Sequence, residues 1–343
     1  MDILIGTLLL LIVLVFFTVF SYKAPYGMKA MGALANAAVV SYLVEAFQKY
    51  IGGDIIGFSF LGELGHLAGG MAGVAAAALV CLALGVSPVY SLMMGVACAE
   101  MGLLPGFFAG YIVAFLVKVI EKRFPAGLDL LGTVIIAAPL ARFIAVEVSP
   151  LVDATLLKIG GIIDQITSSS PILMGIILGG IITVVATSPL SSMALTAMLG
   201  LVGLPMGISA VAIVGSAFLN YVLFDRLKFG SRKTTIAMTI EPLTQADLVA
   251  ANPIPIYVTN FVGGALSGIV VALFGLINNA TGTATVVAGL VVMYGFNDPI
   301  KVTICVLICG VIGILCGLLG SYVFRNFKIV REEEVRGRGQ EAA

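Results

Sequence analysis

One carboxylate is set apart by its surroundings. Glu241 lies in Thr239-Ile240-Glu241-Pro242-Leu243-Thr244-Gln245-Ala246-Asp247, directly before a proline in a mostly apolar chain. Pro242 reads as the first residue of a helix and Glu241 as its N-cap. That helix runs about ten residues before a second break, Asn252-Pro253-Ile254-Pro255, and so covers about 15 Å, half a hydrocarbon core. The spacing predicts a re-entrant hairpin over 234–252 with Glu241 at its tip. An ionised carboxylate at bilayer depth costs at least ~2.5–3.5 kcal/mol on insertion scales, so it must face a cavity or a partner. It only accepts hydrogen bonds, which suits a donor-rich, hydroxylated solute. The competing reading is a Glu lying shallow among headgroups.

Two more interruptions carry polar side chains. In Thr187-Ser188-Pro189-Leu190-Ser191-Ser192, Ser188 fits an N-cap and Pro189 the first helical position, with Ser191 and Ser192 adding hydroxyls in the first turn. This is either a helix start aimed at a polar ligand or a tight turn between spans. The third runs from Asn278-Asn279-Ala280-Thr281-Gly282-Thr283-Ala284-Thr285 to Tyr294-Gly295-Phe296-Asn297-Asp298-Pro299. It reads as a second re-entrant piece from the outer side or as an external loop, with Asp298 and Pro299 opening the last helix. The candidate binding set is Glu241, Thr244, Asn252, Ser188, Ser191, Asn220 and His66. Asn36, Asn220, Asn252 and Asn260 can both donate and accept, which serves solute hydroxyls and helix–helix contacts equally. His66, the only histidine, reads as a residue at the opening of a span, with a local hydrogen-bonding role or a ligand or proton role. Glu100 and Arg142 read as an ion pair.

The elements that hold these residues follow from composition. The chain has 343 residues, 60% hydrophobic and 10% charged, with 41 Gly and a mean hydropathy of +1.15. Soluble domains carry about 25% charged residues, and the polar surface here is too small to cover a water-soluble globule. That excludes a soluble enzyme, a nucleic-acid binder and a disordered regulator. The apolar residues come in long runs, at 3–20, 31–47, 67–86, 102–117, 130–148, 172–185, 207–224, 254–277 and 302–324. Their lengths fit helices across a bilayer, for which about 17–25 residues are needed. With shorter segments counted, the fold is an all-α polytopic membrane protein of about 10–12 transmembrane helices with re-entrant hairpins. The first run, with no basic residue before it, reads as a retained span.

Four basic clusters set the orientation: Lys23/Lys29, Lys118/Lys122/Arg123, Arg226/Lys228/Arg232/Lys233 and the tail from Arg325 to Arg338. Eleven crossings with the N-terminus outside and the C-terminus inside bring all four to the cytoplasmic face. The expected organisation is one transmembrane domain over 1–326: a bundle at 1–148, an interfacial segment at 149–170, and a part at 171–326 with broken helices. A solvated tail at 327–343 follows. The five cysteines all fall in apolar runs, and Cys305, Cys309 and Cys316 share a helix face, which reads as small residues at a helix contact rather than a metal or redox site. No phosphate-binding Gly loop, nucleotide fingerprint or paired metal-ligand spacing occurs, so no cofactor, metal or nucleic acid is expected.

The segment 241–298, with Glu-Pro-Leu-Thr-Gln-Ala-Asp-Leu, Ala-Asn-Pro-Ile-Pro-Ile-Tyr and Asn-Asn-Ala-Thr-Gly-Thr-Ala-Thr, resembles the EIIC-like membrane proteins of the bacterial phosphotransferase system, and more narrowly their perfringolysin regulator-type branch. In sugar-transporting members a Gly-Ile-Thr-Glu-Pro motif at a hairpin tip supplies a Glu that binds sugar hydroxyls. Thr239-Ile240-Glu241-Pro242 is similar, without the Gly and with the Thr displaced by one residue. The resemblance implies a homodimeric permease of the bacterial inner membrane for a small, sugar-like solute, working by alternating access. Because the sequence shows no phosphoryl-acceptor domain, soluble phosphotransferase components would act as partners, and the chain is not expected to be an enzyme by itself. Two other readings remain at this point: a membrane sensor that binds without transporting, and an ion-coupled carrier of an organic anion using Arg142.

Overall fold

A computed structural model describes residues 2–125, 127–188 and 191–335, with backbone alone for 2–6 and for Leu10. The described residues form helices, and their only β-type pairing is an isolated bridge between Gly203 and Asn278. In chain order the helices are α1 (Asp2–Lys23), α2 (Gly27–Ile55), α3 (Ser59–Gly70), α4 (Ala72–Ala83), α5 (Pro88–Ala97), α6 (Leu103–Arg123), α7 (Leu128–Ser169), α8 (Pro171–Thr187), α9 (Ser192–Met198), α10 (Gly203–Leu227), α11 (Arg232–Ile240), α12 (Ala246–Ala251), α13 (Pro253–Phe274), α14 (Val286–Phe296) and α15 (Pro299–Val323). Six of them, α2, α6, α7, α10, α13 and α15, are long and apolar enough to cross a membrane. The pair α3 and α4, bent by 54°, makes a seventh. The expected 10–12 spans include shorter apolar helices such as α5, α8 and α14, of 10–17 residues. The protein is an all-α polytopic membrane protein.

The chain divides into two compact units. One holds residues 8–161 and 197–200. Within it α4 and α6 approach closely through small residues: a Cβ at Gly106 would meet the Gly73 carbonyl at 2.3 Å, and one at Gly110 the Ala77 backbone at 2.7 Å. Backbones that near are the usual device of membrane helix pairs, where lipid supplies no hydrophobic drive between helices. Lys118 Nζ donates to the Leu84 carbonyl at 2.8 Å, closing the end of α4.

The other unit holds residues 1–7, 162–196 and 201–343. Its core is four long helices. Gly175 lies against Gly268 and Gly179 against Gly264, so α8 and α13 cross in antiparallel sense through two small-xxx-small pairs. Gly215 faces Ser267 while Leu219 faces Gly263, so α10 is also antiparallel to α13. Gly215 faces Gly313 and Leu219 faces Gly317, so α10 and α15 run parallel. α8, α10 and α15 therefore point one way and α13 the other. A buried polar ring ties this core together: Asn260 Nδ2 donates to Asn220 Oδ1 at 2.8 Å, Asn220 Nδ2 to Ser216 Oγ at 3.1 Å, and Ser216 Oγ to Asn260 Oδ1. Thr183 Oγ1 adds a bond to the Asn260 carbonyl at 2.8 Å.

These directions fix what the connections do. α10 ends, and α13 begins, at one end of the unit, so 228–252 must leave and return there. α13 ends and α15 begins at the opposite end, so 275–298 leaves and returns at that end. Gly275 makes the sharp exit from α13 at φ +64°, in the left-handed region that glycine enters freely. The feet of this second hairpin are joined where Asn297 Oδ1 accepts from Ile277 N at 2.8 Å and Asn297 Nδ2 donates to the Ile277 carbonyl at 2.7 Å.

Three expectations are corrected. Residues 149–170 form no separate segment: α7 carries on unbroken through Ser169, with two π-helical stretches, Thr133–Ala137 and Asp153–Leu157, along it. The polar residues Asp153, Lys158 and Asp164 do not end it, since a polar side chain on a helix leaves the backbone ladder beside it intact. Glu100 and Arg142 are not paired. Among the described residues the ion pairs are Lys49–Glu45 and Lys228–Asp225, while Arg142 Nη1 donates to the Ala99 carbonyl. Finally, 328–335 is not solvated throughout: Lys328, Arg331, Glu333 and Glu334 are exposed, while Ile329 and Val335 pack against a buried cluster containing Phe224, Phe229, Met238 and Ile256.

Candidate functional site

Two short helical stretches flank a turn at Glu241. Ser231 caps α11, its hydroxyl accepting from Thr234 N at 3.3 Å. α11 ends at Ile240, and Glu241 turns the chain with φ −143° and ψ 87°. Pro242 then opens a helical stretch, first a 3-10 turn (Pro242–Gln245) and then α12, which stops at Asn252. The tight first turn follows from the proline, whose fixed φ starts a helix without needing an N–H. Thr244 closes the tip, its N and Oγ1 donating to the Glu241 carbonyl at 3.1 and 2.8 Å.

The two hairpins enter from opposite ends and meet at their tips. Thr285 Oγ1 donates to Glu241 Oε2 at 3.4 Å. Ser192 Oγ donates to the Ala284 carbonyl at 2.6 Å and Thr281 Oγ1 to the Thr196 carbonyl at 3.1 Å, so the broken segment after α8 runs beside the second hairpin. Ser191, Ser192, Glu241 and Thr285 then line one cleft, floored by Met193 and Ile213. Its free volume is about 10 Å³, room for about one water molecule, so the cleft is closed to a solute in this conformation. Both serines are buried and Glu241 is half-buried. Among the described residues Glu241 has no cationic partner. The cleft thus offers a carboxylate acceptor opposite three hydroxyls.

The sequence candidates separate in space. Glu241 and Ser191 line the cleft. Ser188 ends α8 instead of starting the next helix, its hydroxyl donating back to the Val185 carbonyl at 2.8 Å. The cap of α9 is Ser191, which accepts from Ala194 N at 3.4 Å. A capping hydroxyl must stand just ahead of the first helical residue, here Ser192, and Ser188 is too far upstream. Pro189, the expected first helical residue, lies outside the described residues. Asn220 is fully buried in the polar ring. Asn252 binds backbone, Nδ2 to the Leu248 and Val330 carbonyls and Oδ1 from Val330 N. Thr244 is exposed on the tip. His66 is exposed on α3, within that helix and not at its opening, in the unit that does not contain Glu241. Sequence reading missed the pairing of Thr285 with Glu241. It noted the Thr-rich stretch, but nothing local states that 285 meets 241.

A fold of membrane-crossing helices with two opposed hairpins closing on a carboxylate cleft defines a polytopic membrane protein with a polar site inside its bundle. Residues 28–336 match the family model described as "Phosphotransferase system, EIIC", and the chain belongs to that family. It is accordingly a multi-pass membrane permease component of phosphotransferase-type sugar uptake. No curated protein matches the chain.

Proposed function

We propose that the chain is a homodimeric permease of the bacterial inner membrane that carries a small sugar-like solute in the cleft between its hairpin tips. The observation that carries this reading is Glu241 at the junction of the two hairpins, beside Thr285, Ser191 and Ser192. In this reading the carboxylate accepts hydrogen bonds from solute hydroxyls, while the three hydroxyls donate or accept as the solute requires. The end of the unit that carries Arg226, Lys228, Arg232 and Lys233 faces the cytoplasm, following the positive-inside tendency. The Glu241 hairpin then enters from inside and the Asn278–Thr285 hairpin from outside. Irregular backbone is tolerated at such depth only where it lines a cavity, which fits two tips facing a solute path. Alternating access comes from rigid-body movement of part of the bundle against a dimeric scaffold, and separate soluble phosphotransferase components supply any phosphoryl group.

The test is ligand-induced thermal stabilisation of the purified protein across a panel of hexoses, hexitols and disaccharides. At least one should raise the melting temperature of the wild type. A hydrogen bond to a charged group contributes about 1.5–3 kcal/mol, so Glu241→Ala should weaken that solute by at least tenfold and Glu241→Gln by less. Equal stabilisation of wild type and both variants removes Glu241 from the site.

A further inference from the structure

The hairpin that carries Glu241 is gripped at both feet by one short piece of the C-terminal segment. At the first foot, Glu332 N donates to the Phe229 carbonyl at 2.8 Å, and Glu332 Oε2 accepts from Ser231 N at 3.0 Å and from Thr234 Oγ1. Ser231 is the cap of α11, so one carboxylate engages both the cap residue and the first turn of the helix leading to Glu241. A carboxylate at a helix N-terminus is favoured by the aligned peptide dipoles. At the second foot, Asn252 and Val330 exchange two bonds of 2.8 Å, Asn252 Nδ2 to the Val330 carbonyl and Val330 N to Asn252 Oδ1. Asn252 is the residue at which α12 stops and α13 starts. Ile329, just ahead of Val330, packs against the cluster that contains Phe229, Met238 and Leu248, side chains of the hairpin and its approach.

We infer that residues 328–335 are a clasp that fixes the Glu241 hairpin against the bundle, with Glu332 and Asn252 as its two positioning residues. Neither touches the cleft. The side-chain bonds span 78 to 101 residues in sequence, and both ends of a 22-residue excursion are held at positions two apart on the clasp, the Val330 main chain and the Glu332 side chain. A hairpin held only by its own turns could tilt about its feet. With both feet pinned, the tip is set relative to Thr285. Releasing the clasp frees the tip, so any event that lifts 328–335 from the cytoplasmic side would change the geometry of the cleft. That consequence rests on the proposed reading of Glu241 as a binding residue, whereas the clasp itself does not.

The test is hydrogen–deuterium exchange on the full-length protein in detergent micelles without solute, comparing wild type, Glu332→Ala, Glu332→Gln and Asn252→Ala. The clasp predicts that amides of 232–251 exchange on the order of tenfold faster in Glu332→Ala, with α8 unchanged. Glu332→Gln, which keeps an acceptor oxygen, should restore much of the protection, and Asn252→Ala should loosen the hairpin from its other foot. No change at 232–251 in either alanine variant overturns the inference. So does an equal rise over 232–251 and α8, which would mark general destabilisation. Because no solute is present, the result stands apart from whether Glu241 binds one.

Discussion

Two polar clusters lie inside the same unit and differ in almost every respect. The ring of Ser216, Asn220 and Asn260 is closed: each side chain donates to the next, and all three residues are buried. The Glu241 cleft is not closed in that way. Its carboxylate takes a long hydroxyl bond of 3.4 Å from Thr285 and a backbone bond from Leu243, has no cation beside it among the described residues, and sits half-buried. A polar group in a membrane bundle is costly unless it is satisfied, and the ring satisfies itself. The cleft keeps unused acceptor capacity, which is stabilising only when something enters. Polar residue type alone does not separate structure from function here; the degree of mutual satisfaction does.

Mutations at the two clusters should therefore split stability from binding. The largest effect is expected at the ring. Asn260→Leu leaves the Asn220 Oδ1 acceptor and the Ser216 hydroxyl donor without their Asn260 partner in a buried core, and a loss of about 2–4 kcal/mol should appear in reversible unfolding titrations. A loss under about 0.5 kcal/mol would mean the ring is not a structural element. Asn297→Ala should come next. It removes both bonds that join the feet of the second hairpin, and about 1–2 kcal/mol of local stability should go with them, read as faster amide exchange over 277–296. Thr285→Val should leave unfolding nearly unchanged but weaken a stabilising solute by roughly 3- to 10-fold, the range of one neutral hydrogen bond of about 0.5–1.5 kcal/mol. Glu241→Gln should have the smallest effect on stability, within about 0.5 kcal/mol or slightly favourable, because a half-buried charge without a cation is no asset to the folded state. If Glu241→Gln destabilised as much as Asn260→Leu, the two clusters would not differ in kind.

The parts of this molecule that sequence revealed are those set by local chemistry. Long apolar runs gave helices, and Pro242 and Pro299 marked helix starts. Asp298 caps α15 as expected, accepting from Lys301 N at 3.0 Å. The half-length stretch Pro242–Ala251 follows from one proline and a break ten residues on. What sequence hid is non-local. Thr285 is 44 residues from Glu241, and Glu332 reaches Ser231 across 101. Hydrogen bonds over such distances depend on helix directions that no window of sequence contains. Polar residues misled in two places: Asp153 and Lys158 suggested an interruption that α7 ignores, and the charged tail suggested solvent where a clasp is docked. Ser188 misled more narrowly, because four serines and threonines within six residues offer several caps and only the helix start selects one.

The central claim is that Glu241 sits deep in the bilayer where two opposed hairpins meet. The measurement that tests it most directly is a cryo-EM map of the protein in lipid nanodiscs. The account predicts the Glu241 side chain within hydrogen-bonding reach of Thr285, about 15 Å from either face of the hydrocarbon layer, with the two hairpins entering from opposite sides. A map with that carboxylate at headgroup level, facing bulk water and apart from Thr285, would contradict it.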